Sequence, residues 1–512
     1  KSICALTDKV IFWFSADLLP FCISYYFQKN YNADLFGIYD LTDKPKRFFK
    51  EQTLTKFNKT WFFFDHVKSM HKPNLEYLKE FEERYGINLQ ELAENDRILN
   101  RYNEYYNFSS EEIFSILEDE CRFFEMVLNE VKPDYFITSE TTLQPHHLFY
   151  EICKKKGIKI TMLNHANWKT LCYISQERHK IDFVKKEELE EEPKKEAKDI
   201  LKLFEESRVS NFHKKYHNVV KKSKSSLITA ALKFIFSTSN NSRTHYTYFG
   251  RSKFRVLRKE IEDSIKKNTR KKFIDENLCH GFTENEKFIY LPLHQEPERS
   301  LLLAAPKFSN QLETVKEISK ILPENYKLYV KEHPTQGPAR NWRDIKFYKE
   351  ILKLKNVRLI HPDFDSKLLF RNCELVISVG GTSSFEATFF GKPSLIFADL
   401  GYAIIPSIIK LNSYSELQQG IADCLKMKIE PRFVLKYLEI LERNSFVFDI
   451  LDFEASYQNK FYMNGNLVDV KFHEIDMRQF LSEHKAELDR VAKEFVRKIY
   501  QFNIIRTNET SD

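Results

Sequence analysis

The sequence is poor in glycine and lacks the glycine-rich patterns by which many enzymes hold a nucleotide. Gly accounts for 12 of the 512 residues, against 45 Phe and 25 Tyr. Neither GxxxxGK[ST] nor GxGxxG occurs, which excludes a P-loop and argues against a dinucleotide-binding fingerprint. The high aromatic content in turn excludes disorder over most of the chain.

Paired cysteines and long apolar runs are also missing. The eight Cys residues are scattered without a CxxC pair, which argues against zinc ribbons and disulfide frameworks and predicts a reducing cytosol. No apolar run approaches the roughly 18 residues that span a bilayer. The short apolar stretch at the start contains Asp8 and Asp17, and because it has no small-residue cleavage site we expect no signal peptide.

The net charge is modest for this length, with 80 Lys and Arg against 73 Asp and Glu. A balance of +7 does not predict a nucleic-acid partner. One segment is strongly basic, because lysines between Lys214 and Lys224 precede an apolar stretch that ends at Phe236. We predict that the segment from Lys214 to Phe236 forms a basic amphipathic helix in peripheral contact with the inner membrane. The alternative is a linker helix that packs on the domains.

The first 180 residues mix strand-like and helix-like segments. The helical segment 143–156 lies between two apolar runs and is long enough for a crossover helix, which predicts a βαβ unit. We therefore expect an α/β first domain, with strands at 9–14, 60–64, 134–138 and 158–163.

From residue 286 onward, apolar runs alternate regularly with helical patterns. This alternation predicts a parallel, doubly wound sheet, whose binding crevice lies at the carboxyl ends of its strands. The predicted strands are 288–293, 327–330, 357–360, 375–379 and 394–397, and the predicted helices are 310–322, 345–354 and 383–390. Beyond residue 430 the pattern is helical.

Polar loops follow the first two of these strands. In the first loop, PLHQEPE, His294 and Gln295 are candidate ligands of a phosphate or a sugar, and Glu298 is a candidate base. In the second loop, KEHP, Lys331 and His333 offer two cationic donors to a phosphate. Ordinary strand-to-helix connections also explain each loop when it is taken alone.

A third polar loop, SVGGTSSFEATFFGKP, follows the predicted strand 375–379. Its glycines permit a positive φ and a close backbone approach, and its hydroxyl side chains open a helix whose free N–H groups favour an anion. A helix cap without a ligand is the alternative. The candidate nucleotide-binding residues in this loop are Gly380, Gly381, Thr382, Ser383, Ser384 and Glu386.

The three loops occur within about 95 residues, and all of them should converge on one crevice. Their order, PLHQEPE, KEHP and GGTSS-E-A, resembles the bacterial capsule polysaccharide biosynthesis family, which includes Kdo-transferring capsule enzymes. It also resembles the bacterial sialyltransferases and polysialyltransferases, whose His-Pro and serine-pair motifs bind the cytidine monophosphate part of a CMP-sugar. The resemblance covers about residues 287–406.

This resemblance implies a GT-B-like α/β fold, with two Rossmann-like domains facing a cleft and helices at the C-terminus. His333, Ser383 and Ser384 would hold the donor phosphate. The expected divisions are an acceptor domain at 1–180, a helical and basic linker at 181–285, a nucleotide-sugar domain at 286–430 and a helical region at 431–512.

The activity that the resemblance implies is glycosyl transfer. The enzyme would move Kdo or another acidic sugar from a CMP-sugar to a growing capsular or surface glycan, in the cytoplasm and close to the inner membrane. We expect no metal and no cofactor beyond the donor, because the lysine, the histidine and the helix end already supply positive charge to the leaving phosphate.

The catalytic base has no motif in the first domain. Sialyltransferases place it in a short acid-acid-glycine motif, which this sequence lacks. Glu140, at the end of a predicted strand with His146 and His147 nearby, is the first candidate; Asp17 and Asp65 are the others.

Other functions stay open at this point. A CDP-alditol phosphotransferase of teichoic-acid type also uses a His-Pro and a serine-pair loop. A GT-B enzyme with a UDP- or GDP-sugar would share the fold, and a scaffold of a glycan assembly complex would keep the fold without the chemistry.

Overall fold

The structure, a computed structural model, describes residues 7–68, 71–101, 103–182, 184–194, 200–207 and 224–509. Its strands are β1 Lys9–Phe14, β2 Asp34–Tyr39, β3 Lys59–Phe62, β4 Tyr135–Ser139, β5 Lys159–His165, β6 Leu171–Ser175, β7 Lys287–Pro292, β8 Tyr326–Lys331, β9 Val357–Ile360, β10 Leu375–Ser378, β11 Ser394–Ile396, β12 Ile408–Lys410 and β13 Phe446–Val447.

The helices of the first part of the chain are α1 Leu19–Asn30, α2 Asp43–Glu51, α3 Phe63–His66, α4 Leu75–Tyr85, α5 Leu89–Glu94, α6 Ser110–Val131, α7 Gln144–Lys155, α8 Ile200–Glu206, α9 Lys224–Phe236, α10 Asn241–Thr244 and α11 Lys253–Asn277. Those of the second part are α12 Arg299–Leu302, α13 Gln311–Ile321, α14 Gln336–Arg340, α15 Ile345–Leu352, α16 Ser366–Asn372, α17 Ser383–Phe389, α18 Leu417–Lys426, α19 Pro431–Arg443, α20 Ile450–Phe461, α21 Glu474–Glu483 and α22 Lys485–Glu509.

The strands form two sheets. The first has the order β13-β6-β5-β4-β1-β2-β3, and only β6 runs against the other strands, because it pairs antiparallel with both β5 and β13. The second has the order β12-β11-β10-β7-β8-β9 and is parallel throughout. The expected fold class, two Rossmann-like α/β domains with parallel sheets, is thereby confirmed.

Each sheet has one point at which the chain reverses its direction of travel across the sheet. In the first sheet this point lies between β1 and β4, and in the second it lies between β7 and β10. Ligands of open α/β sheets bind outside the carboxyl ends of the strands at such a point. The topology therefore marks one end of β1, β4, β7 and β10 as the place for a site.

Strand β1 shows why the apolar runs of the sequence become central strands. In KVIFWF, Val10, Phe12 and Phe14 belong to one hydrophobic cluster, whereas Ile11 and Trp13 belong to the cluster on the opposite face. All five are almost fully buried. A parallel strand with helices on both faces needs a continuous apolar run rather than an alternating one.

The chain returns to the first sheet after it has completed the second. Strand β13 pairs antiparallel with β6, where Phe446 lies opposite Cys172. Helix α22 packs along α1 and contacts β5 and β6, and Leu488, Val491 and Phe495 enter the same hydrophobic cluster as β1. The first domain therefore contains both early and late parts of the sequence.

Helix α11 joins the two domains. Near its start, Lys259 forms an ion pair with Glu104 of the first domain. Near its end, the Arg270 guanidinium donates to the carbonyl oxygens of Asn341 (3.2 Å) and Trp342 (3.1 Å). This 25-residue helix thus connects the domains on the outside of the molecule.

Most predicted elements lie where the sequence places them. The bounds of β1 and β9 coincide with the prediction, whereas the predicted strand 60–64 ends at Phe62 because Phe63 and Phe64 begin α3. Strands β2, β6, β12 and β13 were not predicted.

The proposed domain divisions stay a prediction. Part of the basic segment, with Lys214 and Lys222, lies outside the described residues. None of the described helices has the length and hydropathy needed to cross a bilayer.

Candidate active site

A cavity of about 760 Å³ lies between the two sheets. Its walls are the loops after β1 and β4 on one side and the loops after β7, β8, β9 and β10 on the other. These include both reversal points, as expected for a ligand site in this topology. Of the predicted site residues, the cavity brings together Glu140, His294, Gln295, Glu298, Lys331, His333, Gly380, Gly381, Thr382, Ser383 and Glu386.

His294 connects the first polar loop to the glycine turn. The N–H of Gly380 donates to its Nε2 atom at 3.1 Å, which places the ring hydrogen on Nδ1, 3.2 Å from the Glu298 carboxylate. The backbone N–H of His294 donates to Gln311 at 2.6 Å. Because the ring is buried and bonded at both nitrogens, it sets the geometry of the cavity wall.

The glycine turn is close-packed rather than left-handed. Neither Gly380 nor Gly381 has a positive φ, so the conformational freedom expected of them is not used. Gly381 instead allows the His294 ring to pack directly against the backbone, because a Cβ atom at this position would lie 2.9 Å from His294 Cε1. Such a distance is shorter than packed carbon atoms tolerate without displacement.

The serine pair is divided between the cavity and the protein interior. Ser383 lines the cavity, whereas Ser384 is fully buried and is absent from the lining. The Ser384 hydroxyl finds no hydrogen-bond partner within the described part of the chain. Of the two serines predicted as phosphate ligands, the structure therefore places only Ser383 where a ligand can reach it.

The His-Pro turn after β8 is braced by a buried ion network. The N–H of His333 donates to the Glu332 carboxylate at 2.6 Å, and Arg343 and Tyr348 hold the same carboxylate, each at 2.7 Å. Arg343 also donates to the carbonyl of His294. Two loops that bear predicted ligands are therefore fixed by one buried arginine.

A hydrogen bond to the His333 ring defines which of its two nitrogens carries the hydrogen atom. The Thr335 N–H lies 3.3 Å from Nδ1 and donates to it, so the ring hydrogen resides on Nε2. Gln295 lies in the same wall, and its amide Nε2 is buried without a hydrogen-bond partner among the described residues. An unmet buried donor costs free energy, which favours an acceptor atom bound at this place.

Lys331 and Glu386 form the charged centre of the second-domain wall. Both are nine-tenths or more buried and line the cavity. Burial lowers the pKa of the Lys331 ammonium to about 8 and raises the pKa of the Glu386 carboxyl to about 7. Thr382 donates to Glu386 at 2.7 Å. Near neutral pH this wall therefore holds a protonated amine beside a partly protonated acid.

Glu140 lies on the opposite wall, where an arginine holds it. Arg178 Nε donates to its carboxylate at 2.7 Å. Burial alone would raise the pKa of Glu140, but the charges of Arg178, His179 and Arg299, together with the hydrogen bond from Arg178, outweigh it and lower the pKa to about 2. A carboxylate with so low a pKa is a weak proton acceptor.

Asp17 occupies a different environment on the same wall. It accepts hydrogen bonds from the Leu19 N–H (3.0 Å) and the Ser139 hydroxyl (3.4 Å), and its pKa is raised by burial. Helix α20 returns to this place with Glu454, whose pKa is raised to about 7 by burial and by the charge of Asp17. Tyr457 on the same helix hydrogen-bonds Asp17.

His146, predicted to lie near Glu140, and Asp65, the third candidate base, both have structural partners. His146 stacks on Trp13 with a centroid distance of 4.9 Å and lies 2.7 Å from the Thr138 hydroxyl; burial lowers its pKa to about 3. Asp65 pairs with Lys46 and is not part of the cavity wall. Glu454 and Tyr457 were missed, because nothing in the C-terminal sequence indicates which domain its helices cover.

Metal ligands are not gathered at the cavity. Asp363 and Asp365 stand two residues apart after β9, but Asp365 caps α16 by accepting the Lys367 N–H at 2.9 Å, and the Asp363 side chain is 85% exposed. Within the described ranges, no group of three or more His, Cys, Asp or Glu residues could hold a metal ion.

Comparisons with known structures find similar chains only at low sequence identity and low TM-score. The β-Kdo 2,7-transferase of Thermosulfurimonas dismutans KpsC is 11% identical, with 70% of this chain and 86% of that chain covered at a TM-score of 0.29. The UDP-GlcNAc 2-epimerase of Methanocaldococcus jannaschii is 12% identical, with 85% and 99% covered at a TM-score of 0.25. No curated protein matches the sequence.

A family model gives the more specific result. Residues 193–405 match the family described as capsule polysaccharide biosynthesis protein. The matched range includes the PLHQEPE, KEHP and GGTSS loops, which are the residues that carry the resemblance in the sequence. The predicted relation to the capsule polysaccharide biosynthesis family is thus confirmed over residues 193–405.

Proposed function

We propose that the protein is a glycosyltransferase that moves Kdo or another acidic sugar from a CMP-activated donor to a growing capsular or surface polysaccharide. One observation carries the proposal: a single cavity joins hydrogen-bond and charge donors on its second-domain wall to buried carboxyl groups on its first-domain wall. The family match over residues 193–405 supports a role in capsule synthesis.

The second-domain wall suits the phosphate of a nucleotide. Lys331 supplies an ammonium group, His333 an imidazole N–H and Gln295 an unmet amide N–H. When a CMP-sugar is cleaved, negative charge develops on the leaving phosphate, and fixed donors stabilise it without reorganisation. Ser383 and the backbone beside Gly381 complete this proposed phosphate site.

The first-domain wall suits the acceptor. Asp17 is the better candidate for the base, because its raised pKa makes it a stronger proton acceptor than Glu140, which the ion pair with Arg178 holds ionised and weakly basic. Glu140 then has a positioning role, since its carboxylate fixes the Arg178 guanidinium at the cavity.

The proposed transfer is a single displacement. An acceptor hydroxyl gives its proton to the Asp17 carboxylate, and its oxygen forms a bond to the anomeric carbon of the donor sugar. The bond from that carbon to the phosphate oxygen breaks, and its electron pair leaves with CMP. Lys331 and His333 stabilise the released phosphate.

We further propose that neither a metal nor a cofactor takes part. This is supported by the donors already present in the wall and by the commitment of Asp365 to its helix cap. Turnover in excess EDTA should equal turnover without it. A loss that added Mg²⁺ or Mn²⁺ restores would contradict this part of the proposal.

The proposed location is the cytoplasmic face of the inner membrane, with a glycan or glycolipid acceptor and no nucleic-acid partner. Peripheral contact through the segment from Lys214 to Phe236 is part of this proposal. Its sequence is basic before residue 225 and apolar after it, as expected for a segment that approaches anionic lipid.

The proposed reaction is tested with a panel of donors. The purified protein is incubated with CMP-Kdo, CMP-sialic acid, CDP-glycerol, and UDP- and GDP-sugars, each with and without a capsular oligosaccharide acceptor, and nucleotide release is measured. We expect CMP release that depends on the acceptor. Release of CMP from CDP-glycerol would indicate the phosphotransferase, release from UDP- or GDP-sugars another glycosyltransferase, and failure of every cytidine nucleotide to raise Tm would indicate a scaffold.

A further inference from the structure

Two helices outside the cleft expose large apolar side chains. On α9 the exposed fractions are 63% for Ile228, 51% for Leu232 and 82% for Phe236. On α11 they are 74% for Phe254 and 64% for Ile261. Leu227, Ile235 and Ile265 extend the two sets. We name these eight residues the outer apolar surface.

The spacing gives each helix one apolar stripe. On α9 the exposed residues recur at intervals of three to four, whereas Ala230 on the other side of the helix is buried. On α11 they recur at intervals of seven and four, which returns to the same side of a helix with 3.6 residues per turn. Contiguous exposed apolar surface of this kind marks an interaction site in a folded protein.

The two helices are joined and anchored. The Lys253 ammonium at the start of α11 donates to the Ile235 carbonyl near the end of α9 at 2.5 Å. Between the helices, Asn241 accepts a hydrogen bond from the Asp43 N–H at 2.9 Å, and His245 lies 3.0 Å from the Leu41 carbonyl. The outer apolar surface is therefore held on the first domain rather than on a free arm.

The sequence that leads from α9 into the start of α11 is rich in positive charge. Between Glu206 and Glu260 there is no Asp or Glu, although the chain as a whole has 73 of them, and the same stretch contains 13 Lys and Arg. Exposed basic side chains stand on the two helices themselves, among them Lys233, Lys253, Arg258, Lys266 and Lys272. Helix α11 also carries Glu260, Glu262 and Asp263 close to Ile261, but its nine Lys and Arg outnumber its five Asp and Glu. The border of the apolar surface is therefore predominantly basic.

We propose that the outer apolar surface docks on an anionic lipid bilayer, with α9 and α11 lying together in the interface. The proposal rests on the membrane location proposed above and extends it from one basic segment to a two-helix surface that includes α11. Apolar side chains enter the boundary between headgroups and acyl chains, while the basic border binds anionic headgroups. An apolar patch of this size is not what a nucleic acid binds, so the charge complementarity here is to lipid.

The experiment compares vesicle binding of matched variants of the full chain. Flotation with vesicles of phosphatidylcholine and 30% phosphatidylglycerol, about 0.15 M salt, should recover the wild type, and vesicles of phosphatidylcholine alone should recover little. Phe236→Asp with Phe254→Asp should reduce binding at least tenfold. Leu75→Asp with Ile475→Asp, which alters two equally exposed apolar residues elsewhere, should leave it unchanged.

A second variant pair separates charge from apolar contact. Lys266→Gln with Lys272→Gln should weaken binding to phosphatidylglycerol vesicles several-fold with little change in Tm, since both side chains are exposed and the Lys272–Glu276 pair lies at the surface. Transfer to a soluble oligosaccharide should stay at the wild-type rate in every one of these variants, which keeps this test independent of the proposed reaction.

Three results would overturn the inference. The first is equal recovery on neutral and anionic vesicles, and the second is vesicle binding that the Phe236 and Phe254 variant retains. The third is a wild-type dimer in solution that the same variant converts to monomer in the absence of lipid, which would assign the surface to a second copy of the chain.

Discussion

The two walls of the cavity differ in how the chain builds them. The second-domain wall comes almost entirely from one stretch of the chain, between Tyr290 and Tyr402. The first-domain wall combines the loops after β1 and β4 with Arg178 and, from far along the chain, Glu454 and Tyr457. One wall is local in sequence and the other is not.

The walls also differ in their electrostatics. Burial and ion pairing set the pKa values of Glu140 and Glu454 far apart, at about 2 and about 7, whereas the second-domain wall combines Lys331 and neutral donors with a single acid of raised pKa, Glu386. Titratable groups pushed apart in this way are typical of divided acid–base roles. In the proposed mechanism, phosphate binding and proton transfer therefore lie on opposite sides of the cleft.

The largest expected effect is on kcat, and it distinguishes Asp17 from Glu140 on the first-domain wall. Asp17→Asn should lower kcat by about 100-fold or more, the range that one general base contributes, with CMP affinity unchanged. Glu140→Gln should lower kcat less and instead reduce Tm, because Arg178 loses its partner. Rates with saturating donor and acceptor, together with CMP titration, check this. The reverse ranking of the two variants would remove Asp17 as the base.

The next effect lies on the second wall. His333→Ala should reduce turnover by at least about tenfold, because a donor to the leaving phosphate is lost, and should also weaken CMP binding. The matched control is His361→Gln in the second His-Pro pair, whose ring bonds Asp275 rather than lining the cavity. Wild-type turnover in the His333 variant, with a purified donor and acceptor, would contradict the proposed phosphate site.

A structural effect of intermediate size tests how His294 and the glycine turn fit together. Gly381→Ala should destabilise the fold by about 1–3 kcal/mol, the usual cost of overpacking, because the new methyl group meets His294 Cε1 at 2.9 Å. CMP affinity should fall with it. Gly281→Ala is the control, since a Cβ there meets nothing within 4 Å. Thermal unfolding curves of the two variants give the comparison.

The smallest effect concerns pH. A base accepts a proton only when ionised, and the pKa of Asp17 is raised by burial, so kcat/KM should rise with pH through a midpoint above that of an ordinary aspartate and then level off. Glu454→Gln removes a like charge beside Asp17, which lowers the pKa of Asp17 and should move the midpoint of this rise to lower pH. At pH 8 the variant and the wild type should differ by less than about threefold. An unchanged midpoint would show that the charge of Glu454 does not affect the group whose ionisation limits kcat/KM.

The sequence predicts the second domain better than the first, for a physical reason. Parallel strands buried on both faces read as uninterrupted apolar runs, and their loops carry the ligands a few residues later. His294, Lys331 and Ser383 were therefore found from order and spacing alone. Ser384 was not separated from Ser383, because neighbouring residues of a helix point in different directions.

The first wall could not be predicted because its members meet only in the folded chain. Asp17 and Glu140 stand at the ends of similar strands, and only the position of Arg178 shows that one is held ionised while the other is not. Glu454 lies on a helix without any motif. Its role depends on α20 covering the cleft, which follows from tertiary packing rather than from local sequence.

The return of the late helices to the first sheet has a consequence for the order of synthesis. As the chain leaves the ribosome, the second sheet has all its strands once Lys410 has emerged. The first domain, begun earlier, keeps the face that α22 covers open until residues such as Phe495 and Ile499 are made. The part started first is therefore finished last, and a nascent chain interrupted between them carries a complete second sheet beside a first sheet with an open apolar face.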